Sequence, residues 1–428
     1  MKEILHILYG EIAVGSLVYD RKKDAISLIY EQAWQFGTDS FPISLSLPLS
    51  RKSHPDAAIR PFLQGLLPDN PAVIEAWGKR FHVSPRNPFD VIKHVGEDCA
   101  GALQFVRPER LGRILSGELD SLIPLTDEDL EKRMTDIAAQ SRAIPVSIEG
   151  RFSLAGAQTK DALHLKGGRW FVPAGRIPST HILKPQLDEF EEHALNEHFC
   201  LRLASRVGLS SAESRILDVA GKRVLCVERY DRVTYEEDGP LVRWHQEDMC
   251  QALGRYPHQK YQADGGPSAG EIVKLLYRHS DDHESVIVQF IGALAFNWVI
   301  AGTDAHSKNY SLIHGRGSLL FSAPLYDLAS FLPYQRDANS TKVKLAMKIG
   351  GTYRLHEIDA TRWEKWALEG DLLTPEGVVE IVQITVHQIL ESIASLEAEM
   401  LQEHDSLFIG KLADAIKNRA SRCAELMA

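Results

Sequence analysis

The chain has 428 residues, 44% of them hydrophobic and 25% charged, with five scattered cysteines, a composition that excludes a disordered chain, a disulfide framework and a Cys-x-x-Cys zinc site. The formal net charge of −10 argues against a surface that grips nucleic acid along its whole extent, although a local basic patch stays open. No uncharged apolar run reaches ~18 residues and the first residues lack the layout of a signal peptide, so we expect a cytoplasmic protein with no membrane partner.

Residues 1–106 have the pattern of a small α+β domain. Alternating apolar residues predict strands at 4–9, 13–18 and 26–30, and the segment 43–47 alternates in the same way. A helix is predicted to begin at Pro71, with Asn70 as its N-cap, and to run to about Arg80. No residue in this domain carries obvious chemistry, so packing or partner binding is the favoured interpretation.

Residues 107–145 are predicted to be a linking segment with one capped helix, from Thr126 to about residue 139. The small residues Ala155, Gly156 and Ala157 follow, between strand patterns, with further strands predicted at 162–165 and 170–172. A loop of small residues can lie close over phosphate groups, which its backbone N–H groups then bind, whereas a tight hairpin turn is the alternative. The Gly-Lys-Ser/Thr phosphate-binding motif occurs nowhere in the chain.

Lys184 ends a short apolar strand predicted at 180–184, about 30 residues after the small-residue loop. Its ammonium group could act as a rigidly held point charge on phosphates, or it could be a surface lysine. A helix at 190–207, stopped by Gly208, follows it, and strands are predicted at 214–218 and 223–228. Glu192 or Glu197 could pair with Lys184, although we expect both glutamates at the surface.

Helices dominate the rest of the chain. They are predicted at about 246–254, 268–278, 287–301, 361–369 and 375–400. In the last of them, apolar residues three or four apart form a core-facing stripe from Val378 to Met400. In the helix at 287–301, apolar residues recur at three and four positions, which predicts a buried helix stopped by Gly302.

The segment after this central helix holds three polar side chains in a suggestive order. Asp304 comes first, Asn309 follows five residues later, and Asp327 comes just after two predicted hairpin strands at 310–313 and 319–321. Phosphoryl transfer needs one carboxylate to orient the attacking hydroxyl, and a carboxylate and an amide oxygen to hold Mg²⁺. The Asp-x-x-x-x-Asn spacing equals that of the protein-kinase catalytic loop. Alternatively, Asp304 caps a turn and Asn309 starts one.

Several segments together resemble the HipA-type toxin serine/threonine kinases of bacterial type II toxin–antitoxin systems. The resemblance rests on residues 44–49, 66–69, 153–160, 181–184, 227–232, 246–251, 303–309 and 325–327, in that order along nearly the whole chain. It implies an α+β, two-lobed fold like that of protein and phosphoinositide kinases, with an N-terminal α/β subdomain and a mainly helical C-terminal subdomain. The implied divisions are 1–106, a linking segment 107–145, an ATP-binding sheet region 146–235, and a helical kinase subdomain 236–428.

The resemblance also implies roles for individual residues, with ATP and Mg²⁺ as cofactors. Asp304 would be the catalytic base, Asn309 and Asp327 the magnesium ligands, and Ser153 the autophosphorylated serine. The residues that would contact ATP are Ala155, Gly156, Ala157, Gln158, Lys160, Lys184, Glu228 and Tyr230 (both through their backbone), His306, Lys308 and Asn309. Ala305 and Ser307 differ from the family pattern in the catalytic loop, and we expect both to be tolerated.

The implied function is a toxin that phosphorylates an aminoacyl-tRNA synthetase, with the glutamyl enzyme favoured, and so blocks translation and promotes dormancy. Its implied partners are a HipB-like helix-turn-helix antitoxin and, through that antitoxin, operator DNA. Two alternatives stay open: a catalytically quiet corepressor scaffold, which would not need the polar residues to be intact, and a small-molecule kinase, which would use the same ones.

Overall fold

The computed structural model describes residues 2–140, 152–153, 158–187, 190–235, 239, 241–335, 342–370 and 373–428. The strands are β1 Lys2–Tyr9, β2 Ile12–Asp20, β3 Ala25–Tyr30, β4 Ser53–His54, β5 Asp98–Cys99, β6 Leu103–Val106, β7 Ser121–Pro124, β8 Phe152–Ser153, β9 Asp161–Lys166, β10 Arg169–Ala174, β11 His181–Pro185, β12 Ser214–Val219, β13 Lys222–Glu228, β14 Arg232–Val233, β15 Val242–Arg243, β16 His245–Asp248, β17 Ser311–His314, β18 Leu320–Ser322, β19 Lys344–Ile349 and β20 Thr352–Arg354. The helices are α1 Gln32–Gln35, α2 Asp56–Gly65, α3 Pro71–Phe81, α4 Pro88–Val95, α5 Pro108–Leu115, α6 Asp127–Gln140, α7 His193–Arg206, α8 Met249–Ala252, α9 Ala269–His279, α10 His283–Ile300, α11 Ala360–Gly370, α12 Pro375–Glu403 and α13 Leu407–Leu426.

The described residues form two compact units, each built from separated parts of the chain. The first unit contains Met1–Pro185, Leu217–His258 and Ile313–Leu319. The second contains Gln186–Ile216, Gln259–Leu312 and Leu320–Ala428.

An antiparallel sheet of the order β4-β3-β2-β1-β6 lies in the first unit, where it confirms the strands predicted at 4–9, 13–18 and 26–30. The predicted strand at 43–47 is wrong, because this segment forms a turn closed by the Leu47 N–H and the Ser44 carbonyl at 2.8 Å. Its apolar alternation has another cause. The Tyr30 hydroxyl accepts from the Ile43 N–H and donates to the Leu47 carbonyl, so both residues are buried around one phenol.

A second sheet has the strand order β12-β13-β11-β9-β10-β7 and also belongs to this unit. Of β12, only the last three residues are part of the unit. Its β9–β10 hairpin turns through Gly167 and Gly168, both at positive φ, a conformation that favours glycine. The segment predicted as a link takes part in it: β7 adds an edge strand and α6, which begins where predicted, packs Leu130, Met134 and Ile137 into its core.

Two segments of the resemblance meet in a buried polar cluster of the first unit. The Glu247 carboxylate accepts from the Ser44 hydroxyl, from the Leu45 N–H at 2.9 Å and from the His314 ring at 2.8 Å. The helix predicted at 246–254 is wrong in its first half. Residues 245–248 form β16, and the short α8 begins only after Asp248, whose side chain caps it.

Helices make up most of the second unit. α7, α9, α11 and α12 confirm the predictions at 190–207, 268–278, 361–369 and 375–400, and the predicted stripe of α12 is buried from Val378 to Met400. α13 was not predicted. Among the described residues, α10 has the length and apolarity of a membrane span, but 72% of it is buried, as in a core helix. All five cysteines are buried, and each is a thiol outside any disulfide.

Candidate active site

The C-terminal end of α10 positions the loop that carries Asp304. The residue that ends the helix in left-handed conformation is Ala301, at φ 52°, rather than the predicted Gly302. Gly302 follows it, and its N–H donates to the Asn297 carbonyl at 2.8 Å. A glycine is favoured at this position because a Cβ would lie 2.1 Å from Asn297 Oδ1. Any larger residue would therefore force the Asn297 side chain to move.

The Asp304 carboxylate is open to solvent, with 67% of its side chain exposed. The Tyr261 hydroxyl donates a hydrogen bond to its Oδ1, and His306 Nε2 lies 3.9 Å from the same oxygen. The rings of Tyr261 and His306 meet edge to face, with their centroids 5.1 Å apart. Asp304 can therefore meet a substrate while one of its oxygens is held by a neighbouring phenol.

The same loop also sets the orientation of the Asn309 side chain. Its Nδ2 donates to the Asp304 carbonyl at 2.9 Å, which leaves Oδ1, the atom that a hard cation prefers, as the other face of the amide. The turn Ser307–Asn309 is anchored from outside, since the buried Ser307 donates from both N and Oγ to the Lys260 carbonyl, at 3.2 and 2.8 Å. The serine at this position thus supports the loop.

Asp327 lies on a segment that is fixed on both sides. Upstream, the Tyr326 hydroxyl donates to the Lys308 carbonyl at 2.7 Å and lies 2.5 Å from Ser311 Oγ. Downstream, Ser330 Oγ donates to the Ile300 carbonyl at 2.6 Å. The backbone of Asp327 has a φ of 52°, in the left-handed region that residues other than glycine rarely adopt. Such strained backbone often occurs at functional sites.

These contacts bring the predicted magnesium ligands onto one scaffold. Tyr326 precedes Asp327, and Lys308, whose carbonyl it binds, precedes Asn309. One hydrogen bond therefore joins the chain beside the carboxylate to the chain beside the amide. A carboxylate and an amide oxygen on such fixed backbone fit the hard-oxygen ligands that Mg²⁺ requires. His306 and Lys308, the other predicted nucleotide contacts of this loop, are both 4% exposed.

The remaining predicted contacts lie in the first unit. Lys184 is buried on β11, opposite Leu225 of β13, and the exposed Glu228 ends β13 opposite His181. The half-buried Tyr230 donates its hydroxyl to Gln246 Oε1. Both strands were predicted, so Lys184 and Glu228 take the strand positions that the sequence indicates.

The small-residue loop is described only at its ends. Ala155, Gly156 and Ala157 lie outside the described residues, and so does the Ser153 side chain, although the Ser153 backbone pairs with Cys99 in parallel. After the loop, Gln158 Nε2 donates to the Pro185 carbonyl at 3.2 Å, next to Lys184, and Lys160 is half-buried. Gln158 thus ties the loop's exit to the strand of the lysine.

The expected surface position of both glutamates of α7 is wrong for one of them. Glu197 is 2% exposed, whereas Glu192 is half-buried at the N-cap. Burying a carboxylate is costly without partners, so Glu197 has a defined place inside the second unit. A pattern with one apolar face does not predict this burial, because α7 is buried on more than one face.

Residues 152–395 match the HipA-like C-terminal domain, and residues 5–106 match the HipA N-terminal domain. The chain belongs to the HipA family. A relative in Sinorhizobium fredii, Y4mE, is 35% identical over 425 residues, 97% of each chain. The serine/threonine-protein kinase toxin HipA of Shewanella oneidensis is 31% identical over 355 residues, 77% of this chain and 76% of that one. This is thus a family of serine/threonine protein kinases.

A solved structure confirms the predicted fold class. The HipA of Shewanella oneidensis, in complex with HipB and its operator DNA, superposes with a TM-score of 0.83 at 25% identity and covers 99% of this chain and 98% of its own. The HipA fold is the two-lobed fold of protein kinases. Sequence reasoning missed Tyr261, which lies in none of the segments of the resemblance, and assigned no role to Tyr326, which lies in the segment 325–327.

Proposed function

We propose that this HipA-family chain transfers the γ-phosphoryl group of ATP to a serine or threonine hydroxyl of a protein. The observation that carries the proposal is the Tyr326–Lys308 hydrogen bond, which fixes Asp327 and Asn309 next to the loop of Asp304. A scaffold without catalysis would not need these three side chains to be held on one rigid frame.

In the proposed reaction, Asp304 accepts the proton of the substrate hydroxyl as its oxygen bonds to the γ-phosphorus and the bond to the β-phosphate oxygen breaks. Asn309 and Asp327 would hold Mg²⁺, which neutralises charge on the phosphates when it is bound. Lys184 would place a further positive charge on the phosphates, and the backbone of Glu228 and Tyr230 would hold adenine. Ala155 to Lys160, His306 and Lys308 would complete the nucleotide contacts.

The proposed substrate is an aminoacyl-tRNA synthetase, with the glutamyl enzyme as the first candidate. The proposed regulators are a HipB-like antitoxin, through which operator DNA would bind, and autophosphorylation of Ser153. The support for a HipB-like partner is the Shewanella oneidensis HipA structure, which contains HipB and operator DNA. An acidic chain of net charge −10 would also suit a basic DNA-binding partner.

The test of the function is to incubate the purified protein with labelled ATP, magnesium and a panel of synthetases, with and without their tRNAs. We expect label on one synthetase and on Ser153 of the chain itself. The Asp304→Asn variant gives the background. Label on no protein, together with label on a small molecule, would favour a small-molecule kinase.

Asp327→Ala should weaken binding of Mg-ATP at least about tenfold, because the cation loses a carboxylate held on fixed backbone. Calorimetry with ATP, in the presence and absence of magnesium, measures this effect. Asp281→Ala, which removes an exposed carboxylate at the turn before α10, serves as the control and should bind as the parent protein does. Equal affinities for the parent and Asp327→Ala would remove Asp327 from the metal site.

Tyr261→Phe should lower kcat by about tenfold to a hundredfold, because the Asp304 carboxylate loses the hydroxyl that orients it. ATP affinity and melting temperature should not change, which separates loss of orientation from loss of structure. Tyr277→Phe is the matched control, since Tyr277 is exposed on α9. A kcat equal to that of the parent protein would show that the phenol does not position Asp304.

A further inference from the structure

A cluster of two histidines and a glutamate lies in the second unit, where α7 meets the end of α12. His198 belongs to α7, Glu403 is the last residue of α12, and His404 follows it. One ligand atom of each residue lies within 4.8 Å of those of the other two. We propose that His198, Glu403 and His404 form a binding site for a divalent transition-metal ion of the Zn²⁺ type, separate from the magnesium site proposed above.

His198 has the surroundings of a metal-binding histidine. Its ring is buried, and Nδ1 lies 2.9 Å from Ser214 Oγ, so Nδ1–H can donate to the hydroxyl while Nε2 binds the ion. Such a second contact fixes the tautomer and the ring of ligating histidines.

The other two ligands are more open and can close on an ion. His404 Nε2 lies 3.9 Å from Glu403 Oε2, and the rings of His404 and His198 meet edge to face at 5.9 Å. Ligands of a tetrahedral zinc lie about 3.3 Å apart, given zinc–ligand bonds of about 2.0–2.1 Å. Glu403, which is 46% exposed, is free to rotate toward the two imidazole rings, and its exposure gives the ion an entry path.

Arg202 is the competitor of the ion. Its Nη1 donates to Glu403 Oε2 at 2.6 Å, and its Nη2 donates to Glu399 Oε2 at 3.1 Å. When the ion takes Glu403, Arg202 keeps its pair with Glu399, so its half-buried guanidinium still has a carboxylate partner. The nearby positive charge still opposes the cation. Metal binding should therefore become tighter when Arg202 is neutralised.

The choice of ion follows from the ligand set. Two imidazoles and one carboxylate suit Zn²⁺ and Co²⁺, whereas Mg²⁺ and Ca²⁺ prefer oxygen ligands alone. A bound ion would join α7 to the end of α12 by bonds that neither helix makes alone. We expect it to raise the melting temperature of the protein without any change in the protein's sequence.

The test uses the full chain, freed of metal and titrated with Co²⁺, whose visible spectrum reports tetrahedral nitrogen–oxygen ligation, followed by displacement with Zn²⁺. We expect one ion per chain, and at least about tenfold weaker binding in His404→Ala and in Glu403→Gln. His387→Ala is the matched control, because His387 lies exposed on α12 with Glu391 at 3.0 Å, and no third ligand joins the pair within the described part of the chain. Arg202→Gln should bind the ion more tightly than the parent protein.

Absence of one-to-one binding in the parent protein would overturn the site, as would equal affinity in His404→Ala. Weaker binding in Arg202→Gln would overturn the proposed competition and the arrangement on which it rests. Circular dichroism of each variant shows that the fold is kept, and Glu403→Gln provides a second, solvent-facing change if His404→Ala unfolds.

Discussion

The Asp304→Asn variant is expected to lose phosphoryl transfer by about 10²–10⁴-fold in kcat, the usual contribution of a general base, while its affinity for Mg-ATP stays within a few-fold. The amide cannot accept the proton of the attacking hydroxyl. The loop itself should persist, since Asn309 Nδ2 donates to the backbone carbonyl of residue 304, which the substitution keeps, and Ser307 binds the Lys260 carbonyl. The loss is therefore one of chemistry, not of folding or of nucleotide binding.

Single-turnover transfer to the labelled substrate and calorimetry with Mg-ATP measure the two quantities separately. Asp281→Asn, at an exposed turn, is the control and should match the parent protein in both. Full transfer by Asp304→Asn would exclude Asp304 as the base. Loss of ATP binding in the same variant would instead place Asp304 among the metal ligands.

The largest expected effect on stability is that of Asp98→Asn in the first unit, about 3–5 kcal/mol of unfolding free energy. Asp98 is buried, with Oδ1 3.0 Å from Arg232 and 3.2 Å from Arg243, and Arg229 Nη1 3.7 Å from Oδ2. Asp231 is the second carboxylate of this buried cluster, paired with Arg229 at 2.9 Å. Removing the negative charge of Asp98 leaves the guanidinium groups of Arg229, Arg232 and Arg243 with Asp231 as the one remaining carboxylate of the cluster.

The same cluster should make stability depend on pH. Burial alone would raise the pKa of Asp98, but Arg243, Arg229 and Arg232 more than offset it and hold the pKa well below its usual range. A carboxyl whose folded pKa is lowered stabilises the protein above its unfolded pKa of about 3.9, and this stabilisation is lost as the pH falls below it. We expect the parent protein to lose more unfolding free energy between pH 5 and pH 3 than Asp98→Asn does.

Urea unfolding at several pH values measures both effects. Glu425→Gln, which removes the exposed partner of Arg422, is the control and should unfold like the parent protein. If Asp98→Asn is as stable as the parent protein at pH 7, the cluster is not held together by its charges.

The sequence could predict the features that depend on residues close to one another along the chain. The Asp304-to-Asn309 spacing, the Asn70 cap of α3 and the stripe of α12 are all local patterns, and the structure places each of these residues in the predicted element. The magnesium and base roles of Asp304, Asn309 and Asp327 stay predictions.

What the sequence could not predict depends on contacts across the fold. Segment 43–47 has the apolar alternation of a strand, but it forms a turn whose backbone is hydrogen-bonded to the Tyr30 hydroxyl. Tyr261 lies 43 residues before Asp304, the carboxylate that it contacts. Glu197 is buried because α7 packs on several sides, which a pattern with one apolar face does not show. Each of these requires knowing which distant residues meet.

The Ser44–Glu247 contact also constrains the order in which the protein can fold during synthesis. The first unit includes residues up to 319. The Ser44 hydroxyl and the Leu45 N–H can bind Glu247 only after that residue, about 200 positions further along the chain, has been synthesised. The N-terminal sheet can form early, but the unit cannot close before the ribosome has made its last segment. A fragment that stops at residue 106 would expose the unpaired polar groups of 44–46, and a fragment that starts there would bury Glu247 without two of its donors. The two family domains therefore complete each other's hydrogen bonds in this chain, and we expect either one expressed alone to be less stable than it is in the full chain.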